Sequence, residues 1–132
     1  MYAWPDAGVM WDNLVRMDYE GVSILNASES LRDSLISQQS GLLAAEIEIL
    51  KPDVCLFFSG PYYDDFINAA FPGCEFSSCG ALPERELARV TATASVLPVA
   101  SFRTYHPNFL RRGNRWSYIE TVRTLLQDLL EP

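Results

Sequence analysis

The order of apolar segments predicts an α/β fold: a three-layer sandwich with helices on both sides of a small, mainly parallel central sheet. Three observations carry this. Residues 54–58 are an unbroken apolar run that stops at Ser59 and Gly60, the pattern of a strand covered on both faces, as in parallel sheets. Residues 97–104 read as a second strand and stop at Tyr105, His106 and Pro107. Apolar residues at helical spacing occupy the stretches before, between and after these strands. A chain of 132 residues is long enough to bury a core and short enough to be one domain, here 1–132.

Taken in order, residues 10–17 are a short apolar segment that fits either a strand or a helical turn, and 22–25 fit a short strand. Ser28 or Ser30 can cap the first long helix, with Asp33 three residues beyond Ser30 as a capping-box partner. Leu31, Leu35, Leu42, Leu43, Ile47 and Leu50 then recur mostly in helical register. Gly41 is a point where that helix can divide, and Pro52 ends it, because a residue before proline avoids helical geometry. After the strand at 54–58, residues 62–71 read as a helix stopped by Pro72 and Gly73. Residues 74–93 are irregular, with short strands around Phe76 and over 87–93. The closing helix starts near Trp116 and carries Trp116, Ile119, Val122, Leu126 and Leu129 or Leu130 on one face.

Composition excludes several classes. With 48% hydrophobic and 20% charged residues the chain has a globular composition, and no apolar run approaches the roughly 20 residues of a membrane span. The start lacks the basic and apolar regions of a signal peptide, so a cytoplasmic location is expected. Cys55, Cys74 and Cys79 are odd in number and have no CxxC spacing, which argues against a disulfide framework or a metal site; no cofactor is expected. The net charge of −7 argues against nonspecific nucleic-acid binding by the whole surface, yet it is unevenly spread. Residues 1–75 carry twelve acidic and three basic side chains, whereas Arg103, Arg111, Arg112, Arg115 and Arg123 face only Glu120 across 103–123. Such polarity can draw an anion to one face. Lys51 is the sole lysine, and arginine is the better holder of phosphate in fixed geometry.

In sheets of this class ligands bind beyond the carboxyl ends of the strands. Gly60 and the single histidine, His106, both fall there. A histidine held between Tyr105 and Pro107 and flanked by arginines suits a loop that meets an anionic or polar ligand; the plain alternative is a surface turn ending a strand. Tyr62 and Tyr63 could stack on a base, but an aromatic pair opening a helix reads rather as core or rim packing; the adjacent Asp64 and Asp65 could bind a cation, but read rather as solvated carboxylates.

Three features together resemble the uracil-DNA glycosylase superfamily. The first is Leu42 to Gly60, a helix, a Leu50-Lys51-Pro52 break and a strand running into a glycine turn. The second is Tyr105-His106-Pro107-Asn108, similar to that superfamily's His-Pro-Ser loop, and the third is the closing amphipathic helix. The resemblance covers about residues 40–130 and implies binding of DNA, with the target nucleotide flipped out of the stack and its glycosidic bond cleaved. His106 would be the catalytic residue, stabilising negative charge on the uracil carbonyl oxygen. Gly60, Tyr105, Pro107 and Asn108 would line the substrate site, and either Asn13 or Asn26 would read the uracil edge, with Asn13 favoured. Arg103, Arg111, Arg112 and Arg115 would hold the DNA backbone in a salt-sensitive contact.

The chain departs from the family pattern at defined places. The family's first motif, a strand and a Gly- and Pro-rich loop with a water-positioning acid, has too little room before Asn13, and Asp6 after Pro5 is a poor substitute. The loop reads His-Pro-Asn, and three cysteines cannot supply four ligands to an iron–sulfur cluster. A truncated member with weak or absent base-excision activity is the expectation, alongside a non-catalytic interaction module that kept the fold. A Ser59–His106 hydrolase is a third reading, weakened by the lack of a G-x-S-x-G elbow. Loss of a first strand would open an apolar face and a sheet edge, to be covered by Tyr2, Trp4, Val9, Met10 and Trp11 or by a second copy in a homodimer.

Overall fold

The structure, a computed structural model, describes residues 2–4, 8–14, 20–93 and 95–130. The readings placed on Asp6, on residues 15–17 and on the side chains of Tyr2 and Trp4 lie outside the described residues. Strands β1 (Tyr2–Trp4) and β2 (Val9–Trp11) pair antiparallel as a separate hairpin, with Tyr2 opposite Trp11. Val22–Leu25 is not a strand: Ile24–Asn26 form a 3-10 turn, because the Ser23 hydroxyl accepts from the Leu25 N–H and folds the chain locally.

Helix α1 (Glu29–Leu50) runs through Gly41 without division. The Ser28 hydroxyl caps it, accepting from the Leu31 N–H at 3.3 Å. Its end is set at Lys51, which turns left-handed (φ 48°) and gives its N–H to the Ile47 carbonyl just before Pro52. Strand β3 (Val54–Phe57) follows, then a 3-10 turn (Pro61–Tyr63) leading into α2 (Asp64–Ala70). The two short strands expected around Phe76 and over 87–93 are β4 (Glu75–Ser78) and β5 (Leu87–Thr91), and β6 (Ala100–Thr104) is the second strand read from the sequence. After His106 come α3 (Pro107–Arg112), a helix outside the expected order, and α4 (Ser117–Leu130).

The four-stranded sheet has the order β3-β6-β5-β4 and is mixed, which corrects the expectation of a mainly parallel sheet. Only β3 and β6 pair parallel; β5 runs antiparallel to both β6 and β4. The physical reason is the connections. A parallel pair needs a crossover of a dozen or more residues, which α2 helps to supply between β3 and β6, whereas β4, β5 and β6 are joined by loops without a helix and turn back on one another. The unbroken apolar run in β3 therefore belongs to an edge strand, with Val54, Cys55 and Leu56 half-buried; the central β6 is the strand buried along its whole length.

Alternation along the strands sends side chains to two apolar clusters. Phe57 and Val90 pack with Leu43 and Ile47 of α1 and with Ile67, Ala70 and Phe71 at α2. Leu87, Ala100 and Phe102 pack with Val122 of α4, joined by Val54 and Leu56. Helices thus cover both faces of the sheet, an α/β arrangement. A third cluster, Ile24, Leu35 and Phe66, seats the 3-10 turn on α1 and α2.

All three cysteines are free thiols, and Cys55 packs against the first cluster. Burial pushes its thiol from 9.0 up to about 12. The folded state therefore holds that proton more tightly than the unfolded chain does. The stability this contributes is full below pH 9 and is lost as pH rises towards about 12. Urea unfolding of wild type and Cys55→Ala should diverge above pH 9, wild type losing up to about 1.4 kcal/mol more per pH unit. Equal slopes would show that the thiol is not shielded.

Candidate functional site

The parallel pair β3 and β6 ends where the two distinctive loops meet. The Gly60 N–H donates to the Thr104 carbonyl at 2.9 Å, joining the two strand ends. Gly60 has φ 65° and ψ 178°, a conformation open essentially to glycine alone. A Cβ there would stand 3.3 Å from Cδ1 of Tyr105 and 3.6 Å from Cδ2 of Tyr62, so both rings flank it.

Tyr105 packs on Phe109, ring centroids 4.4 Å apart, and the Arg115 guanidinium lies 4.5 Å from the centroid of Phe109. Gly113 leaves the space that the Arg115 side chain fills. His106 is the N-cap of α3, and Pro107 occupies the first helical position, where its missing N–H costs nothing. The Nδ1 atom of His106 accepts from the Asn108 N–H at 3.1 Å. With Nδ1 accepting, the neutral tautomer carries its N–H at Nε2, on an exposed side chain. Asn108, Arg111 and Arg112 are exposed beside it.

Arg103, expected on the DNA backbone, is instead fully buried. Its five N–H groups meet five acceptors: Asp64 Oδ1 and Oδ2 at 3.0 Å, Glu84 Oε1 at 2.8 Å, and the Glu84 and Arg85 carbonyls at 3.0 Å. Its position within the central strand leaves it no route to a phosphate. Asp64 is correspondingly half-buried rather than solvated. Burial raises its carboxyl, against the pull of the Arg103 hydrogen bond and charge. The neighbouring Glu86 accepts from the Tyr118 hydroxyl at 3.0 Å, and the phenol is raised by burial first and by that carboxylate next.

Asn26 is a turn residue, its side-chain amide donating to the Ser23 carbonyl at 3.1 Å. Asn13 is exposed and its backbone N–H meets Asp12 Oδ1 at 2.8 Å. Trp11, two residues before it, stacks on Phe58 just after β3, with centroids 6.4 Å apart, which keeps this segment near the strand's carboxyl end. Gly60, Tyr105, His106, Pro107, Asn108 and Arg115 are thus gathered at the strand ends, whereas Arg103 and Asn26 are occupied elsewhere.

No protein-family model matches the chain, and no curated protein or solved structure matches it significantly. What the site can do follows from its own geometry. An exposed imidazole in a loop with a tilted aromatic pair and exposed arginines suits a polar-edged, anionic ligand. Two features are not evident from the sequence: Phe109 as a partner of Tyr105, and Arg85 as the partner of Tyr62. Tyr62, read as packing, is 61% exposed, with Arg85 Nη2 donating to its hydroxyl at 3.2 Å. Gly60 before Pro61 and Tyr62, and Gly113 two residues before Arg115, were the available signals.

Proposed function

We propose that the chain is a uracil-DNA-glycosylase-like domain that binds DNA or a flipped nucleobase through the Tyr105-His106-Pro107-Asn108 loop. The observation that carries this reading is the exposed His106 side chain, whose Nδ1 is held by the Asn108 N–H in the loop that also carries the Tyr105–Phe109 ring pair. A donor at Nε2 can meet a base carbonyl and stabilise charge that develops on it. Arg111, Arg112 and Arg115 would hold the flanking phosphates.

Binding without efficient cleavage is the form of this function that the surroundings favour. The nearby carboxylates are engaged: Asp64 and Glu84 by Arg103, Glu86 by Tyr118. None of these three is left to position a water. Release of uracil from a labelled oligonucleotide is accordingly expected to be slow or absent, while the oligonucleotide is still bound. Fast release that disappears in His106→Ala would replace the binding reading with a catalytic one.

In anisotropy titrations across salt, Arg111→Ala and Arg112→Ala should each weaken DNA binding and lower the log–log salt slope by about 0.7–0.9. An unchanged slope would remove these residues from the phosphate contact.

The proposal includes a cytoplasmic protein that pairs with a second copy along the outer edge of β3, which carries no strand among the described residues. Sedimentation that stays monomeric at all concentrations would exclude the pairing. No helix among the described residues is long and apolar enough to cross a membrane.

A further inference from the structure

A helix on the surface of a domain ordinarily carries one apolar stripe, turned to the core, and a polar opposite face. Helix α1 departs from this. Leu43 and Ile47 turn inward to the first cluster, yet Leu31, Leu42 and Ile49 stand on the outer side, 40%, 47% and 78% exposed. Gln38 and Ala45 are exposed on that same side. These five positions lie seven, four, three and four residues apart, the spacing of a helix–helix seam, and none is charged. Gly41 lies beside them, and a Cβ added there would meet nothing within 4 Å. Its own chain thus has no steric need of a glycine, which weakens a helix interior relative to alanine. The bare backbone instead allows a second helix to come close.

We infer that the outer face of α1 is the contact for a second copy of this chain, with α1 packed antiparallel on α1 about a two-fold axis near position 40. The face is complementary to itself in that arrangement. Leu31 and Ile49 are equally far from position 40, as are Gln38 and Leu42. Leu31 therefore meets the partner's Ile49, and Gln38 meets the partner's Leu42, each contact made twice by symmetry. Both Gly41 residues fall beside the axis, where the backbones come nearest. Arg32 and Glu46 are half-buried on one flank of the seam, at positions whose charges set partner and direction. In the antiparallel pair Arg32 comes opposite the partner's Glu46; a parallel pair would forfeit both ion pairs. Removing the exposed leucines and isoleucine from water drives the association, and the opposed charges fix its direction. The contact uses no residue of the β3 edge or of the His-Pro loop, so it rests on neither reading.

The test is sedimentation velocity over a range of protein concentrations at low salt, using wild type, Leu42→Glu, Arg32→Glu, Glu46→Arg and the double variant Arg32→Glu with Glu46→Arg. Leu42 is exposed in the single chain, and thermal melting of the dilute protein verifies that each variant folds. Wild type is expected to self-associate as its concentration rises. Leu42→Glu should weaken that association about tenfold or more, because it sets a carboxylate in the apolar seam. Each single charge reversal should weaken it about fivefold by opposing like charges, and the double variant should return to within about twofold of wild type. Self-association that survives Leu42→Glu, or that the double variant fails to restore, would overturn the α1 contact and leave the second copy to the β3 edge. Wild type that stays monomeric at every concentration would overturn both.

Discussion

Arg103→Ala should lower the folding free energy by about 3–5 kcal/mol, read as a shift in the urea midpoint. The side chain is fully buried in the central strand and satisfies acceptors from α2 and from the loop before β5. Its removal strands the Asp64 carboxylate, half-buried, and leaves two backbone carbonyls without donors. Arg103→Lys should fail to restore stability, because an ammonium has three donors on one atom and cannot span five acceptors held by a planar fork. The double variant Arg103→Met with Asp64→Asn should be less damaged than Arg103→Met alone, since both charges leave together. If Arg103→Ala melts like wild type, the residue is not the pin described, and a role at the surface becomes open to it again.

Gly60→Ala is the second change with a large expected effect. Any side chain at φ 65° and ψ 178° is strained by about 1–3 kcal/mol. The added methyl also meets the Tyr105 ring at 3.3 Å and must displace it. Both stability and nucleic-acid affinity should therefore fall. Gly73→Ala provides the control: it has φ 80° but open space around the new Cβ, so it should lose stability and keep affinity. Should Gly60→Ala bind as wild type does, the position of Tyr105 does not matter to the ligand.

The parts of the fold that were legible were those written in local pattern. The capped helix α1, the β3 run, the β6 run and the amphipathic α4 follow from spacing and from Ser28 and Pro52. Strand order and direction were not legible. Whether β5 lies parallel or antiparallel to β6 depends on contacts across loops that no short window encodes. The burial of β3 was misread for a related reason: an apolar edge strand and an apolar central strand look alike in one dimension.

At the site, His106 and Gly60 could be read because single residues of unusual type stood at strand ends. Arg103 could not. An arginine two residues from the loop looks like its neighbours in sequence, and only the alternation of β6 with the carboxylates of Asp64 and Glu84 reveals that it points inward. The place of Phe109 was not legible because an exposed ring and a packed ring have the same letter, and Tyr62 and Tyr105 meet only through space, on either side of Gly60.

The most direct test of the central claim is photo-cross-linking to an oligonucleotide carrying 5-iodouracil, followed by mass spectrometry of the linked peptides. The expected links fall on the rings beside the histidine, Tyr105 or Phe109, and they diminish in His106→Ala. Links confined to the α1 face, or none above background at concentrations where the protein is folded, would contradict nucleic-acid recognition by the His-Pro loop.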